Sequence, residues 1–390
     1  MPAPKAQDIL KKAEKDRDFR NRLDELTDSI IPMIQRGLNL KSVLEASNDG
    51  KNITEFCYDL ARSRLNVSGK FVAWRRLWLD SYTSSYSTPE IVARYRGRKL
   101  AGETILDAGA GAGLQAIFFA LEGSDVIAVE KNPLRFLMAR LNSEVLGAKL
   151  RLINSDVTAL DPSSVRSISV IFSDPERPPS QEERDLNHLL PSPLALISLF
   201  KEITENFVFD LPPQMRWKNI TINGEKEYVS VDGHLNRLTL YTGKFKRSEV
   251  SAVILPSGMS FSGTPDCAET YGGNGLLKYL YVVDPSLVYA CLWKNLIDEQ
   301  TVFAGRDQRR ILLTSDHYND GFPGEKFEVL STGEDPETLI RGSHVGRIFP
   351  RFEAGDYYGL KSRLESLSKG GNDAHLFRLN SIYALAVKKA

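Results

Sequence analysis

The sequence predicts an α/β protein with a parallel, doubly wound sheet at its centre, a helical region before it and a small α/β domain after it. Between residues 104 and 173, short runs rich in β-branched residues alternate with segments of helical periodicity. Several of these runs are apolar throughout, which is typical of strands covered on both faces. The first run leads into a glycine-rich turn and then a helix. Strands joined by helices of this length form right-handed βαβ units, so the sheet is expected to be parallel.

The first 65 residues are predicted to be helical, because apolar residues recur there at intervals of three and four. In Thr88-Pro89-Glu90 a capping residue precedes a proline and an acid, so a further helix is expected to begin near Thr88. The recurring apolar residues are Leu10, Phe19, Leu23, Leu26, Ile30 and Ile34.

The strands of the sheet are predicted from short apolar runs. After about residue 207, the alternation of strands with helices gives way to strands joined by short turns. Three later strands are joined by turns at Asp232-Gly233 and Thr242-Gly243, which predicts that the sheet finishes with antiparallel strands. Gly, Ser, Thr and Pro dominate 256–275, which we interpret as a linker. The predicted strands are 104–108, 126–130, 150–154, 168–173, 227–231, 237–241 and 250–255, and the predicted helices follow Gly113 and span 133–146, 194–207 and 285–296.

These patterns predict three regions. They are a helical N-terminal region over 1–80, a Rossmann-like domain over 81–258 and a C-terminal domain over 259–390.

Composition excludes several classes of protein. With 42% hydrophobic and 26% charged residues, the chain is neither disordered nor fibrous. It has no apolar run near the roughly 20 residues that cross a bilayer and no signal-peptide core, so we expect a cytoplasmic protein without membrane contact. Cys57, Cys267 and Cys291 have no paired spacing, so neither a disulfide nor a zinc site is expected. The five histidines are scattered, so no metal site is predicted, and the sequence predicts no oligomeric state.

The most informative segment is Asp107-Ala108-Gly109-Ala110-Gly111-Ala112-Gly113, directly after the first strand. Glycines at such a turn let a ligand approach the start of the next helix. A dinucleotide site requires G-x-G-x-x-G, but the third position here is Leu114. Asp107 would also repel a pyrophosphate, whereas it suits a ligand with a cationic amine. The segment therefore favours S-adenosylmethionine, which has an ammonium and a sulfonium and no phosphate.

Two further acids end the next two strands. Glu130 follows the second strand, where a carboxylate can hold both ribose hydroxyls. Asp156 follows the third strand, where it can accept a hydrogen bond from the adenine amino group. Because ligands bind at the carboxyl ends of parallel strands, Asp107, Gly109, Gly111, Glu130 and Asp156 are predicted to bind the cofactor.

The fourth strand ends in Asp174-Pro175-Glu176-Arg177. Here the chain resembles the class I S-adenosylmethionine-dependent methyltransferases, whose amino-directed members carry (D/N)-P-P-(Y/F/W) as their fourth motif. It is more similar to the methyltransferases with a THUMP-like C-terminal domain, which show a G-K-F element, a D-P-A-R-like fourth motif and Y-L-Y-x-x-D-P. The corresponding residues here are Gly69-Lys70-Phe71 followed by Leu77, Asp174 to Arg177, and Tyr279-Leu280-Tyr281-Val282-Val283-Asp284-Pro285.

The resemblance implies methylation of a base in tRNA or rRNA, with an exocyclic amine favoured. The Asp174 carboxylate and the Pro175 carbonyl would accept the two N–H groups and aim the nitrogen lone pair at the methyl group, so that alignment supplies most of the acceleration. Glu176 and Arg177 replace the second proline and the aromatic residue of the amino-directed motif, which weakens the assignment to an amine. Arg177 would stack on a base or bind a phosphate.

Residues 60–99 carry nine Lys or Arg against two acids, interleaved with aromatic residues. This stretch is either a solvated face whose aromatic residues pack inward or a surface that contacts RNA phosphates, with Lys70, Arg75 and Arg76 as candidates. Two alternatives stay open. In the first, the chain is a methyltransferase that acts on a protein or a small metabolite. In the second, it is a non-catalytic RNA-binding subunit that retains the cofactor pocket.

Overall fold

The structure is a computed structural model that describes residues 3–176, 186, 189–268, 275–307 and 310–389. The chain divides into two compact units, one from Met1–Leu211 and Thr239–Lys246 and the other from Pro212–Leu238 and Arg247–Ala390. The three regions predicted from the sequence, with boundaries at 80 and 258, stay a prediction. Among the described residues, no helix combines the length and the apolar character needed to cross a membrane.

Six described helices precede the first strand, and the described elements after them are a mixture of helices and strands. The helices are α1 (Ala3–Lys15), α2 (Arg17–Gln35), α3 (Leu40–Ala46), α4 (Lys51–Asn66), α5 (Ser81–Tyr86), α6 (Glu90–Lys99), α7 (Leu114–Leu121), α8 (Pro133–Leu146), α9 (Pro193–Phe200), α10 (Pro285–Tyr289), α11 (Pro336–Arg341) and α12 (Tyr357–Ser366). The strands are β1 (Thr104–Ala108), β2 (Asp125–Val129), β3 (Arg151–Ile153), β4 (Val170–Ser173), β5 (Phe207–Leu211), β6 (Glu225–Val231), β7 (His234–Tyr241), β8 (Val250–Leu255), β9 (Met259–Gly263), β10 (Tyr279–Val283), β11 (Val302–Asp307), β12 (Arg310–Ser315), β13 (Gly324–Gly333), β14 (Val345–Pro350), β15 (Asn372–Leu379) and β16 (Ile382–Lys388).

The sheet of the first unit has the strand order β3-β2-β1-β4-β5, followed by β7. The pairs β1 with β2, β2 with β3, β1 with β4 and β4 with β5 are all parallel. The strand order reverses direction between β1 and β4, and the crevice at such a switch point is where open α/β sheets bind ligands. The confirmed doubly wound sheet therefore places the ends of β1, β2 and β4 side by side.

The N-terminal helices belong to the core of the first unit. Leu10, Leu23 and Ile30 are buried, as the helical periodicity predicts. They lie in one cluster with Trp78 of the segment before α5 and Leu141 of α8. The N-terminal helices thus cover α8, the helix that follows β2.

Helix α8 has the bounds that the sequence predicts. The Asn132 side chain accepts hydrogen bonds from the backbone N–H groups of Leu134 and Arg135, and Pro133 occupies the first turn. At the other end Gly147 takes a left-handed conformation with φ 69°, which ends the helix. Strands β1 and β4 also match their predicted positions, β4 beginning two residues later.

The predicted helix over 194–207 is wrong in its second half. Helix α9 ends at Phe200, and Phe207 begins the fully buried strand β5. The side chains of Thr204 and Asn206 donate hydrogen bonds to the Ser169 carbonyl at 2.7 and 3.0 Å, which fixes a turn between the two elements. Since Phe-Val-Phe-Asp-Leu is apolar at nearly every position, its periodicity does not separate a buried strand from a helix.

The predicted antiparallel finish of the sheet and the linker over 256–275 are also partly wrong. Strands β6 and β7 are neighbours joined by the predicted turn at Asp232-Gly233, and β8 with β9 is antiparallel, but β6 and β8 are parallel neighbours. Strand β9 occupies Met259–Gly263, inside the expected linker. Its burial alternates along the strand, so its Ser residues are exposed and gave the segment a loop-like composition.

The second unit contains a seven-stranded sheet with the order β11-β12-β10-β13-β16-β15-β14. Its neighbouring pairs are antiparallel except β14 with β15, which is parallel. The predicted helix over 285–296 is interrupted, because α10 ends at Tyr289 and Cys291 has a left-handed φ of 56°. A THUMP-like assignment for the C-terminal part stays a prediction.

The prediction that no disulfide forms is wrong for this unit. Cys267 and Cys291 form a disulfide with their Cα atoms 5.1 Å apart. The bond joins the chain after β9 to the residue that interrupts the helix, a proximity that the 24-residue separation does not reveal. Cys57 is a buried free thiol in the first unit.

A buried ion pair connects α6 to β5. The Arg96 guanidinium donates to both oxygens of the Asp210 carboxylate at 2.6 and 2.7 Å, and both side chains are 1% exposed. Arg96 also donates to Gln115 of α7 and Thr239 of β7. The pair therefore joins four elements of the first unit.

We expect Arg96→Met to destabilise the first unit by about 3–5 kcal/mol, because it leaves the Asp210 carboxylate buried without its cation. Urea unfolding of the full chain measures this change. The control is Arg347→Gln, which removes an ion pair to Asp373 with the Arg347 side chain 72% exposed and should leave the free energy of unfolding almost unchanged. Equal effects of the two substitutions would contradict a structural role for the buried pair.

Candidate active site

The turn after β1 carries three glycines in the left-handed region. Gly109, Gly111 and Gly113 have φ values of 102°, 58° and 80°. The N–H groups of Gly109 and Ala110 both donate to the Val129 carbonyl at the end of β2, which holds the turn against that strand. A Cβ at Gly113 would lie 2.8 Å from the Cβ of Ala139 in α8, so close packing of α7 on α8 also requires glycine there.

Asp107 lies near the end of β1 and is 2% exposed. Its Oδ1 has no hydrogen-bond partner among the described residues. Burial raises the pKa of this carboxyl well above its usual range, and the negative charges of Asp174 and Glu130 raise it further. A buried carboxylate in these surroundings is stabilised by a cationic ligand.

Glu130 follows β2 and is 5% exposed. Its two oxygens accept hydrogen bonds from the backbone N–H groups of Gly111 and Asn132, each at 2.7 Å. Burial raises the pKa of Glu130, although these two amides act in the opposite direction. Glu130 therefore ties the glycine-rich turn to the start of α8 and directs a carboxylate towards the same crevice as Asp107.

Asp156 follows β3, as predicted, but it is exposed. Its Oδ1 accepts hydrogen bonds from the N–H and the hydroxyl of Thr158 at 2.9 and 2.7 Å, which lowers the pKa of this carboxyl. The structure thus gives Asp156 a capping function, and its contact with a cofactor stays a prediction.

The fourth motif begins directly after β4. Phe172 of β4 pairs with Asp107 of β1, and the Asp174 charge contributes to the raised pKa of Asp107, so these two acids face one region. Asp174 is exposed and Pro175 is buried. Glu176 forms two backbone hydrogen bonds with Leu190 at 2.8 and 2.9 Å. Arg177 lies outside the described residues.

A cluster around Arg135 of α8 contacts the fourth motif through residues that are far apart in the sequence. Arg135 donates to Glu176 at 2.7 Å and to Asp80 at 3.4 Å. Its guanidinium lies 4.3 Å from the centre of the Tyr82 ring, whose centre is 4.7 Å from that of Tyr86. The capping box at Asp80 and Thr83 is a sequence signal for α5. It reveals the helix but not its contact with Glu176.

The three candidate RNA-binding cations have different surroundings. The Lys70 ammonium donates to the carbonyls of Ser84 and Ser85, each at 3.1 Å, so it stabilises the end of α5. Arg75 is exposed, lies 4.5 Å over the Trp74 ring and is 3.5 Å from Asp28. Arg76 is exposed as well. Since Arg64 and Arg96 of the same stretch are buried, the stretch contributes partly to the core.

The residues of this region fit S-adenosylmethionine in charge and in hydrogen-bonding groups. Asp107 and Glu130 are two buried carboxylates, which suit a cationic group and ribose hydroxyls, and a Cβ at Gly109 or Gly111 would meet no atom closer than 3.8 Å. Gly111 has only the Thr83 methyl, 3.9 Å away, near its missing side chain. A pyrophosphate would meet Asp107 instead of a positive group, so a dinucleotide fits poorly.

We expect Asp107→Ala and Glu130→Ala each to weaken cofactor binding by about 1–3 kcal/mol, the range of a lost charge-assisted hydrogen bond. Isothermal titration calorimetry with S-adenosylmethionine measures both values. Asp125→Ala is a matched control, because Asp125 is an exposed acid at the opposite end of β2. Unchanged affinity in both site variants would contradict the assignment.

The raised pKa of Asp107 gives a second expectation, for the protein without cofactor. Between the ordinary carboxyl pKa and the raised value, the folded protein binds more protons than the unfolded chain, so Asp107 makes the protein less stable as the pH rises. Asp107→Asn should therefore raise the melting temperature at neutral pH, and the gain should shrink as the pH falls towards 4. Melting curves over this pH range test the sign, and a variant that is less stable than the wild type at neutral pH would contradict it.

Comparisons with known proteins support the predicted fold and a methyltransferase. The profile of a family described as RNA cap guanine-N2 methyltransferase matches residues 102–258. A solved structure from Porphyromonas gingivalis W83, described as a candidate methyltransferase, is 16% identical to this chain, covers 95% of it and 99% of its own chain, and has a TM-score of 0.76. That similarity confirms the predicted fold.

A second solved structure is the Thermus thermophilus 16S rRNA N2 G1207 methyltransferase in complex with AdoMet and guanosine. It is 16% identical, covers 43% of this chain and 44% of its own, and has a TM-score of 0.31. The profile match covers β1, β2 and β4, which carry Asp107, Glu130 and the fourth motif. The chain is therefore an S-adenosylmethionine-dependent methyltransferase with a Rossmann-like fold, as predicted.

Proposed function

We propose that this enzyme methylates the exocyclic amine of a base in tRNA or rRNA, with N2 of guanine as the first candidate. The observation that carries the proposal is Asp174-Pro175 at the end of β4, on the side of the sheet where Asp107 lies. The profile of the guanine-N2 family, which spans the same residues, supports the choice of base.

Asp174 and Pro175 orient the amine. Their carboxylate and carbonyl oxygens accept the two N–H groups, so that the nitrogen lone pair points along the line of attack. Proline has no N–H of its own to compete for the amine's lone pair. When S-adenosylmethionine is bound, it supplies the methyl group from a sulfonium, which is a good leaving group. The chain therefore has to align the amine and to accept a proton, and Asp174 does both.

The cluster around Arg135 supports the fourth motif in this function. Glu176 stands at the position of the second proline in amino-directed enzymes and is held by Arg135. Tyr82 and Tyr86 lie beside that guanidinium and form an aromatic surface, with Tyr86 67% exposed. These two rings supply the stacking surface for the base, and Arg177 of the fourth motif contacts the base or a phosphate.

RNA phosphates bind to the exposed cations before α5. Arg75 and Arg76 are exposed on the short turn over Trp74–Arg76. Lys70 holds the end of α5 through two carbonyls and so positions the tyrosine pair. This arrangement favours RNA over a small metabolite, which needs no cationic surface outside the crevice.

The test is transfer of tritium from labelled S-adenosylmethionine into RNA from cells that lack the protein, with nucleoside mass spectrometry to identify the product and fractionation to separate tRNA from rRNA. We expect Asp174→Ala to reduce the rate about 100-fold, since a misplaced amine costs this much, with little change in cofactor affinity. Asp161→Ala serves as the control because Asp161 is an exposed acid that caps a short turn.

The other possible results contradict the proposal in different ways. Label that enters only protein or metabolites assigns the activity to another substrate class. Cofactor binding without transfer to any fraction indicates a non-catalytic subunit. Label in RNA that persists in Asp174→Ala refutes the function of Asp174 while leaving RNA as the substrate.

A further inference from the structure

The second unit contains a cavity of about 490 Å³, which we call the Trp217 cavity. Its walls combine aromatic rings with cations. The rings are Trp217, Trp293 and Phe303, and the cations are Arg216, Lys218 and Arg306. Cavities of about 300–1,000 Å³ accommodate small ligands, so this one is large enough for a nucleotide but not for a duplex.

The aromatic wall has a defined geometry. The Trp217 indole N–H points at the sulfur of Cys267 at 3.4 Å, so the disulfide with Cys291 orients the ring. On another wall, the ring centres of Trp293 and Phe303 are 5.6 Å apart. Trp217 is half-buried, so part of its ring surface remains accessible to a ligand.

The charge of the cavity is positive. Arg216, Lys218 and Arg306 are exposed, and no carboxylate occurs among the described residues that line the cavity. The acid beside the disulfide, Asp266, forms an ion pair with Lys294 at 2.8 Å, which offsets its charge. A ligand with a planar ring and a negative group is therefore complementary to these walls.

We propose that the Trp217 cavity binds one nucleotide of single-stranded RNA, with the base stacked on Trp217 and a phosphate beside Arg216 and Lys218. The choice of RNA as the ligand rests on the proposed function. Indole rings bind any base through its π-face, while the cations bind the backbone, so the cavity holds the strand without reading its sequence. It gives the enzyme an RNA contact that is separate from the residues predicted to bind the amine.

The experiment measures fluorescence anisotropy of a fluorescein-labelled decauridylate on the full chain. We expect Trp217→Leu to weaken binding by about 5- to 150-fold, the range of one base stacked on an aromatic ring. The double variant Arg216→Gln, Lys218→Gln changes only exposed side chains and should reduce the slope of log affinity against log salt by about 1.4. Arg347→Gln is the matched control in the same unit and should bind like the wild type, and melting curves verify that each variant is folded.

Specific outcomes overturn the proposal. If Trp217→Leu and the double variant both bind the oligonucleotide like the wild type, the cavity is not the site. If only the double variant weakens binding, and pyrophosphate competes as well as uridine monophosphate does, the cavity holds anions without a base.

Failure of the proposed function is a separate result. Asp174→Ala should bind decauridylate normally while it loses methyl transfer. If wild-type enzyme transfers no methyl group to RNA but its binding depends on Trp217, the inference about the cavity stands and the proposed substrate falls.

Discussion

The buried carboxylate of Asp107 is the constraint that organises the first unit. It lies at the end of a strand covered on both faces, next to the negative charges of Asp174 and Glu130, and its Oδ1 has no hydrogen bond among the described residues. Ionisation of a buried carboxyl without a close partner opposes folding, so the packing of the surrounding structure has to supply compensating stability. The same property makes the position selective, because a cationic ligand relieves the repulsion and an anionic one increases it.

The packing around the glycine-rich turn supplies part of the stability that offsets the buried Asp107 carboxyl. Gly113 allows α7 to approach α8 to a distance that a side chain would prevent, and Glu130 joins the turn to the start of α8 through two backbone amides. The N-terminal helices then cover α8 with a continuous apolar cluster. The helical region is thus part of the support for the cofactor site, since α8 also carries Arg135, which holds Glu176 of the fourth motif.

Much of this arrangement is predictable from the sequence, and the rest depends on contacts that no local pattern contains. Strand β1, helix α8 and the crowding of acids at the strand ends follow from periodicity, caps and spacing. The sequence did not reveal strand β5, because a short and fully apolar run suits a buried strand and a helix equally. It did not reveal the ion pair between Arg96 and Asp210 or the disulfide either. The partners are 114 positions apart in the ion pair and 24 positions apart in the disulfide, so they meet only after folding.

The two units share the chain in an interleaved way. The polypeptide chain leaves the first unit after Leu211, returns to it for Thr239–Lys246 and leaves it again at Arg247. Strand β7 begins among residues of the second unit and ends among those of the first. No single cut within 212–246 can therefore leave both units complete: a cut after Lys246 keeps every residue of the first unit but separates 212–238 from the rest of the second. Complete copies of both units are thus obtained only from a chain that is uncut over this stretch.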